Sequence, residues 1–393
     1  MRLHCSGGNS VFRGFLPDSS HKRKLPVRKE PAVQKYTTKL ISLILAAFFF
    51  SQFAFSQQEL EFHFAYRPSA FETFKKNIDR VTIVSPEPFI VDASGVVYGE
   101  LEPKLVKLAR ERNVKIMPQI KNMDATQGLF NGNWVHSILN DKKVKERTIR
   151  GMVEICKRYG LYGMQIDFEN VDVDDRDALT AFYKEAADAL HKEGFKISIA
   201  AVHRSEESAG PNTYTKWMME EWRGGYDLKA LGEIGDFVKI MSYGQHTRRT
   251  TPGPSQGLPW LDQVLQYFVK YVPPEKLSLG ITMSGALYHT VADTALYYQN
   301  ARSWSRSVSL TEAESLIEQY GGQPLQWEDK QKVLYGYIER GGVFEWFMID
   351  NDLRSLDAKL DLVKKYKIKA INMWVSGGEN PGLWDRVKNF TYK

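Results

Sequence analysis

The chain has 393 residues, with 53 Lys and Arg against 47 Asp and Glu, and two cysteines. That length accommodates one large domain or two ordinary ones. The first 56 residues hold nine of the basic and two of the acidic side chains, which leaves 44 against 45 in residues 57–393. The net charge of +6 therefore resides in the N-terminal stretch, and nothing in the rest of the chain points to nucleic-acid binding.

The N-terminal stretch reads as a leader. "HKRK" and "VRK" precede "LISLILAAFFFSQFAFS" (Leu40–Ser56), which contains no charged residue. A membrane span needs about 20 apolar residues; this run is shorter, and small residues follow in "AFSQQ". The pattern is that of a secretory signal peptide cleaved near Ser56, so a secreted, periplasmic or cell-envelope location is expected. Left uncleaved, the same stretch would be a membrane anchor, the one membrane contact the sequence offers. Cys5 falls within the leader and Cys156 stands alone, so no internal disulfide is expected in the mature chain. A lone Cys in an exported chain could be a reactive thiol, but Cys156 shares helical spacing with Ile149, Met152 and Val153, which favours a packing residue. No CxxC or His/Cys cluster is present, and neither a metal nor another cofactor is expected.

Eight apolar or alternating runs, rich in β-branched and aromatic residues, follow in order. They are "LEFHFAY" (60–66), "RVTIVS" (80–85), "VKIMPQI" (114–120), "GMQIDFE" (163–169), "KISIAAV" (196–202), "FVKIMSY" (237–243), "LSLGITM" (277–283) and "AINMWVS" (370–376). Stretches of helical period separate most of them. In "DVDDRDALTAFYKEAADALHKEG", Leu179, Phe182, Tyr183, Ala186 and Leu190 share a face, with Asp174 or Asp175 as N-cap and Gly194 as stop. "DKKVKERTIRGMVEICKRYG" ends likewise at Gly160. Strands alternating with helices imply right-handed βαβ units, and eight of them predict a closed (β/α)₈ TIM barrel over residues 57–393.

One connection is longer. Between the seventh run and "LRSLDAKLDLVKKY", "VLYGYIE" and "VFEWFMI" flank "RGG", a hairpin signal. Before them, "SLTEAESLIEQYGG" reads as a short helix in which Thr311 and Glu314 fit a capping box. A small α+β insertion is predicted over 285–350, beside the barrel mouth.

The fourth run carries the chemistry. Side chains alternate along a strand, so Gly163, Gln165, Asp167 and Glu169 share one face, and Met164, Ile166 and Phe168 share the other. The apolar face suits the helix layer. The polar face then points into the barrel, with Glu169 at the C-terminal end, where such barrels place their active sites. The alternative is a half-exposed strand with its polar face in water. The following "NVDVDD" lacks the mid-loop Gly and terminal Glu of a calcium loop and reads as a solvated helix start. Two carboxyls this close cannot both ionise freely at neutral pH. One is expected to hold a proton that it can give to a glycosidic oxygen.

At these residues the sequence resembles a known family. "YGMQIDFE" is similar to the DGxDxDxE signature of glycoside hydrolase family 18, "DFVKIMSYG" to its sixth-strand MxYD motif, and "INMWVSGGENPGLW" to its eighth-strand segment. "TTPGPSQGLPWLDQVLQYFVKYVPPEKLSLGI" and "GGYDLKALGEIGDFV" resemble the bacterial branch that includes spore-cortex-lytic enzymes acting as peptidoglycan N-acetylglucosaminidases. The resemblance implies that Glu169 is the general acid/base, Asp167 orients the 2-acetamido group of the substrate, Tyr243 contacts its carbonyl oxygen, and Trp374 floors the sugar. It also implies a retaining route in which the acetamido oxygen, not an enzyme nucleophile, attacks the anomeric carbon.

The chain departs from the pattern at three positions. Tyr162 replaces the first Asp of the signature and starts the strand as a structural residue. Gln165 replaces the second; its amide retains the capacity to hydrogen-bond Asp167 but carries no charge to share with it. Gly244 replaces the Asp after the family's Tyr, which removes a polar group from the site. Trp217, Trp222, Trp260, Trp327 and Trp346 are aromatics able to stack on sugars. Trp217 and Trp222, following strand five on the mouth side, are the candidate substrate contacts, with Gln165 and Tyr66 beside them. The expected partner is a polysaccharide containing β-linked N-acetylglucosamine, either peptidoglycan strands or chitin oligomers. A carbohydrate-binding protein with a degenerate site and a membrane-anchored wall-assembly protein are the rival classes.

Overall fold

The structure, a computed structural model, describes residues 59–290, 303–374 and 377–388. The leader expected over 1–56 lies outside the described residues, as do 291–302 of the expected insertion and 375–376 of the eighth run.

Each of the eight runs forms a strand. They are Glu59–Phe64, Ile83–Pro86 continuing as Phe89–Val91, Lys115–Ile116 continuing as Gln119–Lys121, Gly163–Asp167, Lys196–Val202, Phe237–Met241, Leu277–Thr282 and Ala370–Trp374. All neighbours are parallel and the ring closes. The first strand pairs with the eighth (Glu59↔Ala370) and with the second (Glu61↔Ile83). The second meets the third twice, at Ile83↔Lys115 and at Phe89↔Ile120. Lys121↔Asp167 joins the third to the fourth, and the fourth to eighth follow in chain order.

Helices pack outside, built as the periodicity predicts. Arg176–Lys192 buries Leu179, Phe182, Tyr183, Ala186 and Leu190. Lys142–Tyr159 starts at Asp141, whose carboxylate accepts from the Lys143 and Val144 amides. It stops at Gly160, where φ is 55° and a side chain would be strained. Cys156 is buried on this helix, and burial pushes its thiol up to about 12, so it packs and does not react. Asp175 occupies the N-cap position of Arg176–Lys192 but makes no cap bond. Its carboxylate is instead held by His136 Nδ1 at 2.9 Å and Asn140 Nδ2 at 2.8 Å. Among the described residues, no helix is long and apolar enough to cross a membrane.

Between the seventh strand and helix Leu353–Lys365 lies a five-stranded antiparallel sheet: Gly285–His289, Trp304–Val308, Gln323–Glu328, Val333–Arg340 and Val343–Ile349. Helix Leu310–Tyr320 covers one face, over a small core that includes Leu287, Ala313, Ile338 and Phe347. The last two strands turn at Gly341 and Gly342, both at positive φ, as a two-residue hairpin requires. The helix cap differs from the sequence expectation. Ser309 accepts the Glu312 amide at 3.1 Å; Thr311 already lies inside the first turn, too late to serve.

The sheet and the barrel are joined by a buried knot. Asp350, at the end of the last insertion strand, accepts the amides of Ser255 and Gln256, each at 3.0 Å. Gln256 Nε2 in turn donates to the carbonyls of Ser242 (2.6 Å) and Gly280 (2.7 Å). Lys359 donates to the Asp350 carbonyl at 2.7 Å, and burial draws its ammonium down to about 8 despite the nearby carboxylate. Replacing Asp350 by Ala is expected to cost about 3–5 kcal/mol, because it leaves the Ser255 and Gln256 amides unpaired and removes the carboxylate charge beside the buried Lys359. Urea unfolding checks this, and Asp350→Ala with Lys359→Met is expected to lose less than Asp350→Ala alone.

Candidate active site

Hydrophobic layers ordinarily fill such barrels; here the inward side chains are polar. Ser85 Oγ donates to Glu61 Oε1 at 2.6 Å and Ser278 Oγ to Glu61 Oε2 at 3.1 Å. Gln165 donates from Nε2 to Glu61 Oε1 (3.1 Å) and Ser198 Oγ (3.0 Å), and it accepts from Lys239 Nζ at 3.4 Å. Gln165 is thus committed to the barrel floor. Its side chain makes no bond to Asp167 and is buried, only 2% exposed. The amide that serves Asp167 belongs to Gln119. With Nε2 turned toward the carboxylate it donates to Asp167 Oδ2 at 3.2 Å, and its oxygen accepts from Lys239 Nζ at 2.9 Å. An ammonium has only protons to offer, which selects this orientation.

Asp167 ends the fourth strand, almost fully buried, and its Oδ1 has no hydrogen-bond partner. Glu169 lies just beyond, held by its backbone. Its amide donates to Asn122 Oδ1 at 2.9 Å, and Asn122 Nδ2 returns a bond to the Glu169 carbonyl at 2.9 Å. This pair extends the ladder past the end of the strand. Phe168, between the acids, stacks on Phe182 at 5.7 Å in the helix layer, and Tyr226 Oη donates to its carbonyl at 2.5 Å. The alternation of faces predicted from sequence holds through Glu169.

Burial raises both carboxyls. For Asp167 burial is opposed by the positive charges of Lys239 and Lys121. For Glu169 burial and then the Asp167 charge push the carboxyl up to about 8, against the Trp222 hydrogen bond. That bond runs from Trp222 Nε1 to Glu169 Oε2 at 3.0 Å. The indole is itself fixed edge-on by His203 at 5.6 Å. His203 bonds the Met241 carbonyl through Nδ1 (3.1 Å) and accepts from Arg223 through Nε2 (2.9 Å). Burial and the Arg223 charge draw it down to about 3, so the imidazole is neutral.

The other predicted site residues divide. Tyr243 and Trp374 stack on each other, with centroids 4.2 Å apart and planes at 13°. Burial and the two acids raise the Tyr243 phenol well above its usual range. Trp374 lines a cavity of about 280 Å³ with Arg67, Ser284 and Ser307. Trp217 and Trp222 line a larger one, about 600 Å³, that contains Glu169, Phe130 and Asn133. Tyr66 lines neither cavity; it is exposed and packs edge-on against Phe64 at 5.5 Å. Trp260 packs on His203 and Trp327 lies under Arg354, so both are structural. Tyr162 sits beneath Lys115 at 4.7 Å, consistent with a structural start to the strand. Gly244 adopts φ 81°, which a side chain would disfavour. Sequence reasoning missed Gln119, Asn122, His203 and Lys239. Lys239 and Gln119 were signalled by polar residues interrupting apolar runs; Asn122 and His203 follow their strands and carried no such mark.

Comparison with known proteins gives the family and the fold. The family described as "Glycosyl hydrolases family 18" matches residues 26–378. An uncharacterized glycosylase of Bacillus subtilis, YvbX, is 23% identical over 323 residues, covering 82% of this chain and 88% of that protein. A chitinase from Chromobacterium violaceum superposes with a TM-score of 0.73 at 21% identity, over 85% of this chain and 98% of its own. The spore cortex-lytic enzyme SleL of Bacillus megaterium superposes with a TM-score of 0.73 at 22% identity, over 86% and 74%.

The Glu169 carboxyl is expected to titrate near 8 in ¹³C-carboxyl NMR spectra. Trp222→Phe deletes a bond that favours the carboxylate, so it is expected to move that titration to higher pH. A Glu169 signal that titrates near 4 in the wild type would refute the electrostatic picture.

Proposed function

The chain belongs to glycosyl hydrolase family 18, and we propose that it is an exported glycosidase cleaving β-linked N-acetylglucosamine polymers, peptidoglycan strands first and chitin oligomers second. The carrying observation is the pair of acids at the barrel mouth: Glu169, pushed up to about 8, beside Asp167 with one oxygen free. An acid that keeps its proton at neutral pH is the donor that a glycosidic oxygen needs. A buried carboxylate oxygen without a partner is an acceptor for the N–H of a 2-acetamido group.

The steps follow from that placement. Asp167 holds the acetamido N–H and Tyr243 supports the carbonyl oxygen, which attacks the anomeric carbon. The glycosidic C–O bond breaks as Glu169 passes its proton to the leaving oxygen. The resulting oxazolinium is opened when Glu169, now a carboxylate, takes a proton from water and the water oxygen adds to the anomeric carbon. Two displacements retain configuration, without an enzyme nucleophile. Peptidoglycan is favoured by the likeness to SleL and by the sequence resemblance to the cortex-lytic branch. Export is supported by the uncharged Leu40–Ser56 run, and N-terminal sequencing of the exported protein would test cleavage near Ser56.

Incubation with purified peptidoglycan and with chitin oligomers, followed by mass analysis, identifies the substrate; early NMR spectra are expected to show product of retained configuration. Glu169→Gln is expected to lower turnover by about 10² to 10⁴ with unchanged melting temperature and sugar affinity. Asp167→Asn should also lose rate. Tyr243→Phe should lose less, through one hydrogen bond of about 1–3 kcal/mol. In the wild type, kcat/KM is expected to fall as pH rises through about 8, because deprotonation removes the acid. A Glu169→Gln protein that keeps most of its turnover sinks the assignment.

A further inference from the structure

The larger cavity has a wall that the chemistry above does not use. Arg248 and Arg249 are exposed at the tip of the loop after the sixth strand and line the same cavity as Glu169, Trp217 and Trp222. They are the central residues of a turn closed by the Thr250 amide on the Thr247 carbonyl (3.1 Å) and the Thr247 amide on Thr250 Oγ1 (3.0 Å). His246 Nδ1 holds the Thr251 carbonyl at 2.9 Å, and Tyr288 from the insertion donates to the His246 carbonyl at 3.1 Å. Arg249 lies over the Trp217 ring at 5.2 Å. Arg204, Arg340 and Arg354 each sit on a carboxylate; among the described residues, neither Arg248 nor Arg249 does. Two guanidiniums held ready on a braced turn, beside an aromatic wall, suit a carboxylate ligand. The cavity also contains Glu221. With Glu169 protonated, the two cations outnumber that one anion.

The loops assign this cavity to one side of the scissile bond. Its lining comes from the segments after the third to sixth strands, whereas the Trp374 cavity is lined from those after the first, seventh and eighth. Glu169 protonates the leaving oxygen, so the leaving sugar lies in the Glu169 cavity and the reacting N-acetylglucosamine lies toward Tyr243 and Trp374. Resting on the hydrolase assignment, we propose that this cavity is the leaving-group subsite and that Arg248 and Arg249 select a leaving sugar bearing a carboxylate, the muramyl unit of glycan strands, over neutral N-acetylglucosamine. The carboxylate is supplied either by the 3-O-lactyl group itself or by an acidic residue of a peptide stem attached to it.

The test compares kcat/KM of the wild type and of Arg248→Gln/Arg249→Gln on three oligomers of equal length. One is N-acetylglucosamine alone, one alternates with muramyl units bearing free lactyl groups, and one carries acidic peptide stems. The double variant is expected to lower the ratio of charged over neutral kcat/KM by about 10- to 100-fold. The wild-type ratio is expected to fall with added KCl, and that dependence should disappear in the variant. A loss on the free-lactyl oligomer assigns the lactyl group, and a loss confined to the stem-bearing oligomer assigns the stem. Calorimetric binding of the free-lactyl and stem-bearing oligomers to the Glu169→Gln protein, with and without the arginines, gives a readout independent of turnover. An active wild type whose charged-to-neutral ratio is unchanged by the double variant overturns this inference and leaves the hydrolase assignment standing; a wild type inactive on all three oligomers overturns both.

Discussion

Two buried carboxyls two residues apart, one ending a strand and one just beyond it, cannot both ionise freely at neutral pH, and the rest of the site is arranged around that constraint. Asp167 is placed near Lys239 and Lys121, whose positive charges oppose the cost of its burial. Glu169 is placed beyond the strand end, where Asp167 adds repulsion to burial and a single indole hydrogen bond offsets part of it. The difference in surroundings pushes the two apart in role, as in other sites that draw acid and base from like residues.

A raised carboxyl is useful only if it is aimed. Asn122 fixes the Glu169 backbone from the third strand's loop, and Tyr226 fixes the preceding carbonyl. The side chain is aimed through a relay of contacts from the fifth strand: Arg223 to His203, His203 against Trp222, Trp222 to Glu169. A neutral His203 suits this task, since it keeps a second cation away from the acid. The insertion contributes from the other side. Through Asp350 and Tyr288 it anchors the loop after the sixth strand, which carries Tyr243 at its start and the arginine turn at its tip.

The barrel and the position of the acids were legible because both rest on periodicity. Eight runs, each alternating or apolar, admit few parallel topologies, and a period of two assigns Asp167 and Glu169 to one face whatever surrounds them. Trp222 was singled out for stacking on sugar, yet the structure gives its N–H to Glu169. Gln165 was read as the partner of Asp167, and the bond is made by Gln119 instead. The two glutamines sit at the same height on adjacent strands, and choosing between them depends on where Glu61 and Lys239 lie. Tyr66 follows the first strand toward the mouth, but its ring packs back onto Phe64.

By itself, then, the amino-acid sequence determined the strand order, the faces and the chemical types of the two acids, since these follow from local period and residue identity. Which polar groups answer them was decided by tertiary structure alone. Closing the ring brings Glu61, Gln119, Gln165 and Lys239 from four strands into one small volume of low dielectric. There, hydrogen-bond geometry and charge select partners that spacing along the chain does not encode.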